Sequence, residues 1–242
     1  MKIKTLALTL IFLAFTGILS AQTLEEILEK HYTAVGGADK WSSGNTLKTT
    51  GKMKMMGMEA DMTIFKKRTN KMFVEIGIMG SSVKQGYNGT TAWQIDGVMG
   101  SGKPEVIEGE KASSLIRNSK MEGELFNTSE NFTKIELAGQ EEVDGVNCFK
   151  ISAVDKNEQD ITYYLNAETL LIEKKIVENM KGDTQGMTIK FEEYKDFSGI
   201  MLPVKSLQEM KLKQGKFKQE LIISTVEFNL DVQDSIFEMP SK

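Results

Sequence analysis

The chain has one imidazole and one thiol, so catalysis built on those groups must use His31 or Cys148. His31 falls on or beside the apolar stripe of a helix, where an imidazole packs or is solvated unless a nucleophile is brought to it. Cys148 stands between Asn147 and Phe149 in an extended stretch. An unperturbed thiol with a pKa of about 8.5 is a poor nucleophile, and mid-strand it packs as a small hydrophobe. Only a Cys–His pairing across the fold would activate it. Carboxylates are common, for example Glu141-Glu142 and Glu192-Glu193. Adjacent strand residues point to opposite faces, so neither pair forms a local acid–base couple of the glycosidase kind. One cysteine and one histidine exclude an intrachain disulfide, a Cys-rich zinc site and an HExxH motif. No GxGxxG, phosphate-binding loop or GxSxG elbow occurs. The expectation is a protein with no catalytic residues, no metal and no cofactor.

The unusual residue is methionine, with 15 in the chain. Met53, Met55, Met56, Met58, Met62 and Met72 crowd a short region. They either fill a core or form a deformable apolar lining, because unbranched thioethers repack around ligands of variable shape. A carrier of acyl chains would use the second property. Burying about 16 methylenes at ~0.8 kcal/mol each gives a gross ~13 kcal/mol, so an apolar wall can hold a lipid without a charged anchor. Met56, Met58, Met62, Ile64, Val74, Ile76 and Trp93 are the candidate wall.

These residues belong to a 242-residue chain with 30 Lys and Arg against 34 Asp and Glu. A formal charge of −4 leaves no basic surface for nucleic acid. Lys2 and Lys4 precede an apolar run from Leu6 to Leu19 and the small residues Ser20 and Ala21. That order is a secretory leader, predicted over residues 1–22 with cleavage near Ala21 or Gln22. As a helix the run would rise about 21 Å, short of a hydrocarbon core of about 30 Å. Gln22 takes the place of the cysteine that a lipobox requires, which predicts a product free of a lipid anchor. No later stretch is long and apolar enough to span as a helix. The predicted location is the periplasm.

Residues 23–242 read as one domain. Thr23-Leu24-Glu25-Glu26 is a capping box, and Leu24, Ile27, Leu28, His31 and Val35 form a helical stripe that Gly36-Gly37 ends. Strand alternation follows: Met56 to Ile64, Met72 to Ile78, and Thr91, Trp93 and Ile95 between the turns Asn88-Gly89 and Asp96-Gly97. Asp144-Gly145 makes another turn. Further strands are predicted over 131–138, 146–154, 160–166, 169–178, 186–195, 201–212 and 216–230. Pro104 to Phe126 suits one or two short helices. Short links favour hairpins over crossovers. The expected fold is mostly β with a helical lid: a curved antiparallel sheet of about ten or eleven strands, an N-terminal helix and a central helical insertion.

At this point the chain resembles the outer-membrane lipoprotein-sorting carriers, the LolA/LolB-like periplasmic proteins. The resemblance runs through Ala34-Val35-Gly36-Gly37 and Trp41, then Lys67-Arg68-Thr69-Asn70-Lys71-Met72 at a strand entry. It continues in Tyr87-Asn88-Gly89-Thr90-Thr91-Ala92-Trp93, in Tyr194 to Pro203, and in Asp234-Ser235-Ile236-Phe237-Glu238-Met239-Pro240, which matches the style of the family's C-terminal strands. The resemblance implies an open half-barrel that binds acyl chains in its concavity without catalysis. It also implies Arg68 near the cavity mouth, although Thr69 stands where the family has Pro.

The functional expectation is therefore a non-enzymatic periplasmic carrier of a lipid acyl chain or lipoprotein. An envelope-stress sensor or protein-interaction domain on the same scaffold, with an envelope protein as partner and no lipid, is the alternative. An outer-membrane barrel is disfavoured by charges such as Lys190, Glu192, Lys211 and Lys213 on its strands.

Overall fold

The computed structural model describes residues 22–241. The predicted leader, from Lys2 to Ala21, lies outside the described residues. Among the described residues no helix is long and apolar enough to cross a membrane.

Helix α1 (Leu24–Ala34) begins where the capping box predicts, with Thr23 and Glu26 bonded reciprocally, and Gly36 enters the left-handed region at φ 117°. A second short helix, α2 (Gly37–Ser42), follows at once and buries Trp41. Strands β1 (Thr46–Met55), β2 (Met58–Lys67), β3 (Lys71–Ile78), β4 (Ser81–Tyr87), β5 (Ala92–Asp96) and β6 (Glu105–Val106) come next. Helices α3 (Gly109–Ser119) and α4 (Thr128–Asn131) interrupt the sheet. Then come β7 (Phe132–Val143), β8 (Val146–Asp155), β9 (Asp160–Asn166), β10 (Ile172–Glu178), β11 (Thr184–Phe197), β12 (Ile200–Leu212) and β13 (Gly215–Phe228). All form one 13-stranded antiparallel sheet in which β1 pairs with β13, so β6 and β7 are its two free edges. This is the open curved half-barrel with a helical insertion that the sequence leads one to expect.

The strand count exceeds the expected ten or eleven for a physical reason. The alternation from Met56 onward conceals a turn: Met56 at φ 49° and Gly57 at φ 78° reverse the chain, so β2 starts at Met58 and β1 precedes it. The inward positions Thr49 and Gly51 of β1 are not strongly apolar, and β4 mixes Lys84, Gln85 and Ser82 among its positions, so neither strand shows clean alternation. The third addition, β6, has only two residues.

The helices identify the inner face. Ile27 of α1 packs with Ile151, Tyr163 and Val177, Trp41 of α2 with Leu47, and Leu115 of α3 with Met72 and Ala92. Directly opposed strand residues share a face. The row Ile151, Tyr163, Lys175, Ile189, Gln208, Gln219, Met55 and Met58 runs unbroken from β8 to β2 on that inner side. The outer side carries the row Trp93, Gly86, Phe73, Phe65 and Lys48.

Candidate functional site

The expected wall residues divide between three places. Met62, Ile64, Val74 and Ile76 do share the inner face, since Met62 opposes Ile76 and Ile64 opposes Val74. Met62 is buried, and Ile64 and Val74 pack against the cluster under α3. Met58 lies on the same face at the strand's outer end, 44% exposed. Met56 leaves the wall altogether, because it is the turn residue between β1 and β2.

Trp93 also leaves the wall. It opposes Gly86, which opposes Phe73, so the indole belongs to the outer face. It is buried there by the C-terminal segment, and its Nε1 donates to the Phe237 carbonyl at 2.8 Å. The segment expected to resemble a terminal strand instead forms a short 3-10 turn at Asp234–Ile236 and covers Trp93. Asp234 ties this cover down through Lys67 (2.8 Å) and Lys71 (2.9 Å). Periodicity within β5 could not decide this, since a single strand does not say which of its faces meets the helices.

Away from β7 the inner face keeps apolar residues that are partly exposed. Ile76, Val83, Ile189, Met210, Leu221 and Ile223 are each only partly buried; they lie on the inner side of β3, β4 and β11–β13, with Gln208 and Gln219 among them. The half nearer β7 differs. There Ile27, Leu125, Phe132, Phe149 and Tyr163 close on one another, and the protein's own side chains occupy the space.

Between the two halves runs the segment 119–127, held by buried charge. The Lys175 ammonium and the Tyr163 hydroxyl both donate to the Glu124 carboxylate. Burial alone pushes Glu124 up, but Lys175, Tyr163 and Arg117 outweigh it and hold the carboxyl below its usual range. Lys66, from β2, donates to the Lys120 carbonyl at 3.1 Å. Its burial lowers it to about 8, against the opposing pull of Glu122 and Glu124. Arg117 of α3 reaches Glu110 at 2.8 Å and Asp155 at 3.4 Å, and Gln159 donates to Glu110 at 2.6 Å. Helix α3 thus packs on β3, β4 and β5 while its polar side is fastened to the β8–β9 turn. It thereby joins the β3–β5 side of the sheet to the β8–β9 turn. No apolar periodicity announces these contacts, which join residues as far as 51 positions apart.

Arg68, expected near the cavity mouth, has its guanidinium engaged by neighbouring groups. Its guanidinium donates to the carbonyls of Gly44 (2.8 Å) and Trp41 (2.7 Å) and to the Glu122 carboxylate. It clasps the end of α2 to the loop 119–127. His31 and Cys148 are likewise apart. His31 is buried with Nδ1 2.7 Å from the Leu170 carbonyl, and burial lowers its pKa. Cys148 packs with Val143 and Tyr164 on the outer face, and burial, with Glu173 nearby, pushes its thiol up to about 11. Neither group is activated, and they lie on opposite sides of the sheet. Among the described residues no group of three His, Cys, Asp or Glu side chains is placed to hold a metal ion.

No protein-family model matches the chain, and no curated protein matches its sequence. Solved structures do share its architecture. A LolA superfamily protein from Nitrosomonas europaea is 16% identical with a TM-score of 0.59, the match covering 90% of this chain and 98% of that one. A domain from Vibrio parahaemolyticus, described as an outer membrane lipoprotein-sorting protein domain, is 16% identical with a TM-score of 0.58 over 88% of this chain and 94% of that one. A DUF1329 family protein from Desulfovibrio piger is 12% identical with a TM-score of 0.61 over 90% of this chain and 98% of that one. At these identities the likeness is one of fold, and the fold is the LolA-like half-barrel.

Proposed function

We propose that the protein is a non-enzymatic carrier of lipid acyl chains or lipoproteins that works in the periplasm after its leader is removed. The observation that carries this reading is the half-buried apolar surface on the inner face. Ile76, Val83, Ile189, Leu221 and Ile223 are hydrophobic and point to the helix-covered side, yet the helices leave them partly exposed. Partly exposed apolar residues on the helix-covered face of a curved sheet are what a hydrocarbon ligand covers. Met62, Ile64, Val74 and Ile76 are the proposed wall on the β2–β3 side, with Met58 at its outer end. The solved lipoprotein-sorting fold supports the same reading by analogy of architecture.

The test is titration of delipidated protein with a fluorescent fatty acid. Saturable, stoichiometric binding is expected, and its absence overturns the proposal. Mass spectrometry of an organic extract from protein taken from its native compartment would name the cargo.

A second reading has its own observation. The half of the interior near β7 is occupied by Ile27, Leu125 and Tyr163, as in a scaffold that engages a protein partner and carries no lipid. A protein that co-purifies in stoichiometric amount, without extractable lipid, would favour this interaction or stress-sensing role.

A further inference from the structure

Three alternate hairpins, all turning at one end of the sheet, end in methionines that face solvent. Met56, at the β1–β2 tip, is 80% exposed, Met79 at the β3–β4 tip 91%, and Met99 between β5 and β6 93%. Val98 and Met58 beside them are also exposed. The tips stand at one end of the sheet, since Gly77 opposes Asp61 and Ser82, and the Gly97 amide donates to the Ser82 carbonyl at 3.0 Å; by this register the β1–β2 tip reaches about two residues, or ~7 Å, beyond the β3–β4 tip. Met56 and Met99 are four strand spacings apart, about 19 Å.

The tips are free of charge. Residues 55–58, 77–83 and 97–102 hold no acidic or basic side chain. Just behind them lies a belt of both signs: Lys54 and Glu59, Glu75 and Lys84, Asp96 and Lys103. The other turns at the same end differ in kind, carrying Lys156 and Glu158, Lys181 and Asp183, and Lys213.

The backbone makes the choice of methionine costly. Met56 and Met79 sit at φ 49° and 50°, each followed by a left-handed glycine, in the turn that favours Asn or Asp at its first position. The chain uses Asp144-Gly145 for the same geometry elsewhere. An apolar side chain held out into water from a strained position gains nothing within the fold.

We infer that these three tips are a membrane-contacting rim that dips into the interface of a lipid bilayer. The occupant is a bilayer rather than a protein because separate convex fingertips offer no continuous patch of the size that stable protein interfaces bury. A fluid lipid surface closes around each tip instead, the apolar side chains reaching the acyl boundary while the charged belt remains among the headgroups. The inference goes beyond the carrier reading and does not depend on it.

The test is flotation of the purified protein with vesicles of phosphatidylethanolamine containing a minority of phosphatidylglycerol. The protein should float with the vesicles in high salt as well as low. M79S/M99S should bind about tenfold more weakly or worse, and M79L/M99L should bind like the parent. Both substitutions are on the surface and should leave the melting temperature and the binding of soluble fluorescent fatty acid unchanged. Failure of the parent protein to float, or equal flotation of M79S/M99S, overturns the inference. So does a parent dimer in sedimentation that M79S/M99S dissolves without any vesicle binding, which would assign the tips to a second copy. Fatty-acid binding is read without vesicles, so the two proposals fail separately.

Discussion

Gly86 and Trp93 oppose each other across β4 and β5, and the indole lies so close over the glycine that a Cβ at position 86 would fall 2.3 Å from the ring. The ring cannot retreat, because Phe237 holds its Nε1 from the other side and Phe73 lies beside it at 6.2 Å between centroids. Gly86→Ala therefore forces the indole against the C-terminal cover. Urea denaturation should show a loss of about 1–3 kcal/mol, the range for overpacking a full site. An unchanged midpoint would mean that the tail yields freely.

Glu124 anchors the segment 119–127 from the inside. Its side chain is only 12% exposed and Lys175 only 15%. Glu124→Ala strands a buried ammonium and the Tyr163 hydroxyl without their acceptor, so stability should fall by about 3–5 kcal/mol. Glu130→Ala, whose carboxylate is 67% exposed and 4.0 Å from Lys120, should cost less than about 0.5 kcal/mol. Equal effects in the two variants would show that the interior network contributes no more than a surface pair.

Lys66 gives the protein an alkaline dependence. Its folded pKa lies near 8, below the ordinary value of 10.5, so folding disfavours the ammonium. Below about pH 8 both states carry the proton and the penalty is fully present. As pH rises from about 8 to 10.5 the folded state releases it first, and stability rises. Lys66→Met should remove that rise from the difference between the two stability curves. His31 acts in the same direction lower on the scale: its pKa is depressed from 6.5, so stability falls as pH drops below about 6.5. His31→Gln should flatten this acid limb, and an unaltered limb would exclude His31 as its origin.

The inner and outer faces should respond oppositely to charge. Ile76→Glu sets a carboxylate on the proposed acyl surface and should weaken fatty-acid binding by about tenfold or more, since burying an unpaired charge is costly. Leu207→Lys changes an exposed residue that opposes Lys190 and Glu220 on the outer face, and should leave the affinity alone. A larger effect from Leu207 than from Ile76 would place the ligand on the wrong side of the sheet.

Much of this architecture was legible in the residues themselves. The Thr23–Glu26 capping box, the Asp144-Gly145 turn and the strand over 160–166 appear where local chemistry puts them. The Met56-Gly57 reversal did not, because methionine is a poor witness to a left-handed turn. The sites were less visible. Met62, Ile64, Val74 and Ile76 share a face because alternation is a property of the strand, whereas the face that Trp93 takes depends on its pairing with Gly86.

Composition and periodicity determined on their own that this is an antiparallel β protein with an N-terminal helix, a helical insertion and no standard catalytic motif. Those conclusions rest on interactions within a few residues: caps, turns and the two-residue repeat of an extended chain. Tertiary structure alone decided which face the helices cover, how Glu124 meets Lys175 51 positions away, and that Met56, Met79 and Met99 lie at the same end of the sheet. Each of these depends on inter-strand register, which brings together residues that carry no local record of one another.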